Sequence, residues 1–167
     1  MQQGKRVQHV YLVGAKSLGA YGGYETFVYK LTEYHQNKKN IKYHVACKAN
    51  GDGCMDETKV EGVTQINDHE FEFHNAHCFK SDVPQIGPAQ AIYYDVAALK
   101  ACCDHIRKNH ISHPIVYIMV CRIGPFAHHF YKEIYKLGGT VYLNPDGWKD
   151  IIWLNQKTPH KYSVLTA

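Results

Sequence analysis

Short apolar runs of strand character alternate along this chain with longer segments of helical spacing. His9-Val-Tyr-Leu-Val-Gly14 is a continuous apolar run ending in glycine, as expected of a strand buried on both faces. From Tyr24 to about Gln36, residues Phe27, Val28, Leu31 and Tyr34 recur at helical spacing and predict an amphipathic helix. Ile41 to Cys47 reads as a second strand, followed by the turn cluster Asn50-Gly-Asp-Gly53. Cys54 to His69 carries little periodicity beyond a short strand around Val60 to Ile66. Between Glu70 and Val83, Phe71 and Phe73 alternate with polar residues, and Ala76 to Phe79 suits a further strand. Pro84 and Pro88 bracket a loop before a long helix from Ala89 to about Asn109. Ile115 to Val120 is rich in β-branched residues and predicts a strong strand. Gly124-Pro-Phe opens a helix to Leu137, Gly138-Gly139 caps it, and Thr140 to Leu143 is the last clear strand.

Strand, glycine turn, helix and strand in repetition predict an α/β domain over residues 1–150: a Rossmann-like, mostly parallel sheet with helices on both faces. In such sheets ligands bind outside the carboxyl ends of the strands. That rule selects three loops, Gly14 to Gly23, Cys121 to Pro125 and Asn144 to Trp148.

Composition narrows the class. At 167 residues and 45% hydrophobic, the chain can build one real core. Nineteen Lys and Arg stand against 15 Asp and Glu, a net +4, but the basic residues are scattered, which argues against a nucleic-acid partner. Solubility accounts for the charge, with weak attraction to an anionic membrane surface as a second use. The longest apolar run, Ile115 to Cys121, is too short to span a bilayer, and the polar start is not that of a signal peptide. Six cysteines with no Cys-x-x-Cys pair fit neither a zinc ribbon nor a disulfide framework, so a reducing cytoplasm is the expected compartment.

Gly14-Ala-Lys-Ser-Leu-Gly19-Ala-Tyr-Gly22-Gly23 joins the first strand to the first helix. Glycines let backbone approach an anion, and the N–H groups opening a helix favour negative charge. A P-loop needs Lys followed by Ser or Thr directly after Gly19, where Ala20 and Tyr21 stand. A dinucleotide fingerprint needs Gly-x-Gly-x-x-Gly and an acid after the second strand, and both are missing. Kinase-like and NAD-dependent chemistry are thereby disfavoured, while a phosphate-facing loop and a ligand-free tight turn both stay open.

Tyr21-Gly-Gly-Tyr-Glu-Thr-Phe27, Asp82-Val-Pro-Gln-Ile-Gly-Pro-Ala89, Cys121-Arg-Ile-Gly-Pro-Phe126 and Asn144-Pro-Asp-Gly147 together resemble, in order, the N-terminal domain of bacterial capsular-polysaccharide β-1,4-rhamnosyltransferases, retaining enzymes of the GT-B fold. The resemblance spans residues 8 to about 150. It implies the N-terminal half of a two-domain glycosyltransferase that moves rhamnose from dTDP-rhamnose to a lipid-linked saccharide at the inner face of the membrane, in capsule or cell-surface polysaccharide synthesis. It also implies that Gly22 and Gly23 face the donor diphosphate, that Asp146 lies by the reacting sugar as the catalytic candidate, and that Arg122 points a bidentate cation into the cleft. Residues 151–167 would then be a C-terminal tail, truncated relative to the family, and the chain would be inactive alone. The alternative is a non-catalytic module from a truncated gene that binds an acceptor glycan or a partner.

The chain departs from that family in two loops. Lys16 replaces an Arg, Ser17 a Gly and Gly19 a Pro in a loop one residue shorter, and Trp148 follows Gly147 directly where the family usually has His-Glu-Trp. Lys16 can serve the phosphate-facing loop as a point charge or be a solvated cation. Glu25, in the first helical turn, is favoured by the helix dipole whether or not it meets a ligand. Asp146, between Pro145 and Gly147, also suits an ordinary turn. Twelve histidines invite a metal reading, yet at the His74-x-x-His77 and His110-x-x-His113 pairs no nearby Cys or acid completes a convincing site. No metal or organic cofactor is expected.

Overall fold

Side chains alternate between the faces of a strand, and in this protein each face meets its own helices. The computed structural model describes residues 6–19, 22–120, 126–144 and 163–164. Its strands are β1 (Gln8–Val13), β2 (Ile41–Lys48), β3 (Thr64–Asn67), β4 (Glu70–Phe73), β5 (Ala76–Ser81), β6 (Ile115–Ile118), β7 (Thr140–Leu143) and β8 (Ser163–Val164). Its helices are α1 (Gly23–His35), α2 (Ala89–Lys108) and α3 (Ala127–Lys136). The strands form one sheet in the order β3-β4-β5-β2-β1-β6-β7-β8. Every pairing from β5 across to β8 is parallel, and β3 and β4 are appended antiparallel. Numbered among themselves, the six parallel strands run 3-2-1-4-5-6, the doubly wound order. The expected α/β class, mostly parallel sheet and helices on both faces are all present.

On one face, Tyr11, Val13, Ala46, Phe79, Val116, Ile118 and Val141 pack against α2 and α3. On the other, Leu12, Tyr43, Val45, Cys78 and Met119 pack against Val28 and Leu31 of α1. The α2 stripe of Tyr94, Asp95, Ala98, Leu99, Cys102, Cys103 and Ile106 repeats at helical spacing, which holds that helix flat on the sheet. Gly138 (φ 78°) ends α3 as its sequence predicts: its N–H meets Tyr135 O at 3.0 Å and Gly139 N–H meets Ile134 O at 2.9 Å.

The edge hairpin is where periodicity reads least well. The short strand expected around Val60 to Ile66 sits instead at Thr64–Asn67, with all four residues exposed. β4 and β5 join through His74 and Asn75, both at positive φ (49° and 57°), the backbone of a two-residue type I′ turn. That turn is normally signalled by Asn-Gly, and His-Asn hides it. Ser163–Val164 pairs in parallel with β7, so those two residues of the 151–167 segment belong to the sheet. Among the described residues no helix is long and apolar enough to cross a membrane.

Candidate functional site

β1 lies between β2 and β6, so the chain's connections diverge to the two sides at its carboxyl end, where a crevice must open. Gly14 stands there at φ 115°. A Cβ at this position would lie 2.7 Å from Val120 N and 3.2 Å from Val120 O, so only glycine lets the ends of β1 and β6 approach this closely. Met119 N–H extends the ladder to Val13 O at 2.8 Å, and Asn144 N–H reaches Ile118 O at 2.9 Å. A cavity of about 270 Å³ opens above this point, lined by Gly14 and Val120, Lys16, Glu25, Lys48, Asp52, Tyr94 and Asp95.

Three elements fix the glycine loop. Lys48 N–H donates to Lys16 O at 2.7 Å, tying the loop to β2. The Tyr94 hydroxyl, from buried α2, lies 2.5 Å from Ala15 O and 3.1 Å from Ala46 O. Burial pushes its phenol well above the ordinary range, which keeps it a donor. Lys16 N–H donates to Glu25 Oε1 at 2.8 Å, and Glu25 is only 7% exposed. Glu25 therefore holds the loop's backbone as well as lining the cavity.

With its backbone clamped, Lys16 extends its side chain to Asp52 Oδ2 at 2.7 Å. Its stem lies against Gly53, where a Cβ would fall 2.4 Å from Lys16 Cδ, which explains a glycine in the Asn50–Gly53 turn. Lys48, buried at the end of β2, donates from Nζ to Asp52 O at 2.9 Å. The Lys16 ammonium holds the Asp52 carboxyl below its usual range, so the residue stays anionic near neutrality. Two ammonium groups and the carboxylates of Glu25, Asp52 and Asp95 thus share one cleft. Such a set can hold an anion on the lysine side and accept hydrogen bonds from hydroxyls on the other.

Gly22 and Gly23 sit at the start of α1. A Cβ on Gly22 would lie 2.1 Å from Glu25 Oε2, whereas one on Gly23 meets nothing within 4 Å. Gly22→Ala is expected to displace the Glu25 carboxylate and cost about 1–2 kcal/mol by freeing the loop. Gly23→Ala is expected to leave stability unchanged or raise it by up to about 1 kcal/mol. Thermal denaturation checks both, and equal destabilisation would remove Glu25 as the reason for Gly22.

Of the candidates read from sequence, the structure brings Lys16 and Glu25 into the cleft and places Gly22 and Gly23 at the helix start beside it. Arg122 and Asp146 lie outside the described residues. Sequence reasoning missed Lys48, Asp52, Tyr94 and Asp95. Lys48 had a signal, since it directly follows the strand end searched for an acid. Tyr94 and Asp95 look like two more members of a helical core stripe and carried none. The His110-x-x-His113 pair is backbone chemistry at its first member: His110 is the left-handed residue (φ 50°) ending α2, with its N–H 3.3 Å from Arg107 O and Ile111 N–H 3.1 Å from Ile106 O.

A family model described as "Domain of unknown function (DUF1972)" matches residues 7–164. No curated protein matches the sequence. Solved structures of similar fold include one from E. coli described as trehalose-6-phosphate bound with UDP-2-fluoro glucose. There the TM-score is 0.43 at 11% identity, over 89% of this chain and 37% of that one.

Proposed function

The chain belongs to the DUF1972 family, and we propose that it is the acceptor-side, N-terminal half of a GT-B glycosyltransferase using a nucleotide-sugar donor. In its narrowest form the reading is rhamnose transfer from dTDP-rhamnose to a lipid-linked saccharide for capsule or cell-surface polysaccharide. The work would be done in the cytoplasm, against the inner face of the membrane. The observation that carries it is the cleft at the β1/β6 divergence, floored by the glycine loop and flanked by Lys16 and Lys48. Of the motifs that resemble the rhamnosyltransferases, 22–27 opens α1 beside that cleft and 82–89 joins β5 to α2, while Cys121–Phe126 and Asn144–Gly147 follow β6 and β7 in the sequence.

In this reading Gly22 and Gly23 let the donor diphosphate approach the N–H groups opening α1. Lys16 and Arg122 stabilise the charge that develops on the departing diphosphate, Asp146 stands by the reacting sugar, and the transfer retains configuration. Glu25 positions the loop, and Asp52 and Asp95 receive hydroxyls of the acceptor. Ile86, Ile92 and Tyr93 leave 49%, 44% and 46% of their surface exposed beside the cleft-lining start of α2. An apolar rim of this kind is what a second domain covers.

The test is to incubate the purified chain with dTDP-rhamnose and a lipid-linked glucose acceptor and measure dTDP release, with calorimetry on a soluble acceptor glycoside in parallel. No turnover above background is expected from this chain by itself, together with acceptor binding that Lys48→Ala weakens. Robust turnover would overthrow the half-enzyme reading. Failure to bind any saccharide or dTDP would remove the transferase assignment altogether.

A further inference from the structure

At the opposite end of the sheet from the cleft, four histidines from four separate elements converge. His9 is near the start of β1, His44 is in β2, His77 is near the start of β5 and His105 is in the last turn of α2. Strand register places them: Tyr11 pairs with His44 and His44 with His77, so all three point to the α2 face. Ligand nitrogens of His44, His77 and His105 all lie within 4.8 Å of one another. His44 Nδ1 and His77 Nδ1 are 3.3 Å apart. That is about the spacing of two imidazole nitrogens sharing a tetrahedral ion at about 2.0–2.1 Å.

The surrounding groups orient these rings as metal ligands are oriented. His44 Nε2 lies 2.8 Å from His9 Nδ1. With Nδ1 of His44 on a metal, Nε2 carries the proton and donates it to His9. Glu70 Oε1 sits 3.7 Å from His77 Nε2, in the place of the carboxylate that commonly backs a metal-bound histidine. His105 Nδ1 meets the Tyr11 hydroxyl at 2.7 Å, which leaves Nε2 for a metal. The one lysine in the cavity, Lys42, is engaged by Glu72 at 2.7 Å. The carbonyl end of α2 adds a negative dipole beside His105. Burial first, and then the neighbouring histidines, keeps His44 neutral down to about 2 and His105 down to about 4, the form that ligates.

We propose that His44, His77 and His105 form a site for one divalent late transition-metal ion, zinc being the expected occupant. Its open position faces the cavity lined by Arg6, His9 and Lys42. The ion would clamp the end of α2 to β2 and β5. It lies away from the strand ends that carry the transfer reading and does not depend on that reading. Imidazole donors suit zinc, copper and nickel, and no thiol is among them to favour softer ions.

The test is equilibrium dialysis of the chelator-treated full chain against Zn²⁺, with Co²⁺ as an absorbing substitute. One ion per chain is expected, with the intense visible bands of low-coordinate cobalt. His44→Ala should weaken binding at least about 100-fold, and Glu70→Gln about 10-fold, the usual scale for a carboxylate backing a ligand. A His128→Ala/His129→Ala control on α3 should leave binding intact. Should His44→Ala fail to fold by circular dichroism, His105→Gln gives the same readout from a less buried position. No bound ion, or an affinity unmoved in folded His44→Ala or His105→Gln protein, overturns the proposal.

Discussion

Replacing Gly14 with alanine is expected to lower the melting temperature by roughly 6–12 °C, the equivalent of about 3 kcal/mol in a chain of this size. Two costs combine. The residue sits at φ 115°, where a side chain is strained by about 1–3 kcal/mol. The new Cβ would also lie 2.7 Å from a backbone nitrogen, Val120 N, which cannot swing aside as a flexible side chain can. Either the β1 end or the β6 end must retreat, and the Met119-to-Val13 hydrogen bond at 2.8 Å is the first to stretch. Because the same residues floor the cleft, saccharide affinity should fall together with stability. Differential scanning calorimetry decides it: a shift smaller than about 2 °C would mean that the two strand ends are not locked together.

Gly14 was legible in the sequence because the demand on it is local, an apolar strand that stops at a glycine before a helix. The same holds for the three helices, whose periodicity reports the face each one buries, and for the parallel sheet implied by alternation. The β4–β5 hairpin was not legible in the same way. His74 and Asn75 adopt positive φ without the Asn-Gly pair that advertises it, and the pleat of Phe71 and Phe73 becomes informative only once β5 is known to lie beside them. The candidate cleft divides along the same line. Lys16, Gly22 and Glu25 belong to one continuous motif. Lys48, Asp52 and Tyr94 reach the cavity only through sheet order and the docking of α2. The histidine cluster is the extreme case. The pairs that spacing picks out, His74 with His77 and His110 with His113, are not the ones that meet. Of the three that do, His44 and His77 are 33 residues apart and are joined by strand register, and His105 is brought to them by the docking of α2.

Acidification of chelator-treated protein is expected to destabilise the fold well before the carboxylates begin to titrate. Burial is the main reason His44 resists protonation, and the ring is faced by His105, His77, His9 and Lys42, each of which opposes a further positive charge. Its neighbour Tyr11 stacks on it at 4.5 Å and is held un-ionised by burial. In the unfolded chain a histidine takes up its proton near pH 6.5, whereas His44 in the fold stays neutral down to about 2. Between those values the unfolded state binds the extra proton, so stability is complete above about pH 6.5 and falls as the pH drops. One such histidine removes about 1.4 kcal/mol per pH unit, or about 2–3 kcal/mol by pH 4.5. His105, held down to about 4 and partly exposed, acts with the same sign. Urea denaturation at a series of pH values measures the slope, and His44→Gln should flatten it between pH 6.5 and 5, a range above carboxylate titration. A flat wild-type profile there would mean that protons reach the cluster in the folded protein, and a slope unchanged in His44→Gln would place the acid sensitivity elsewhere.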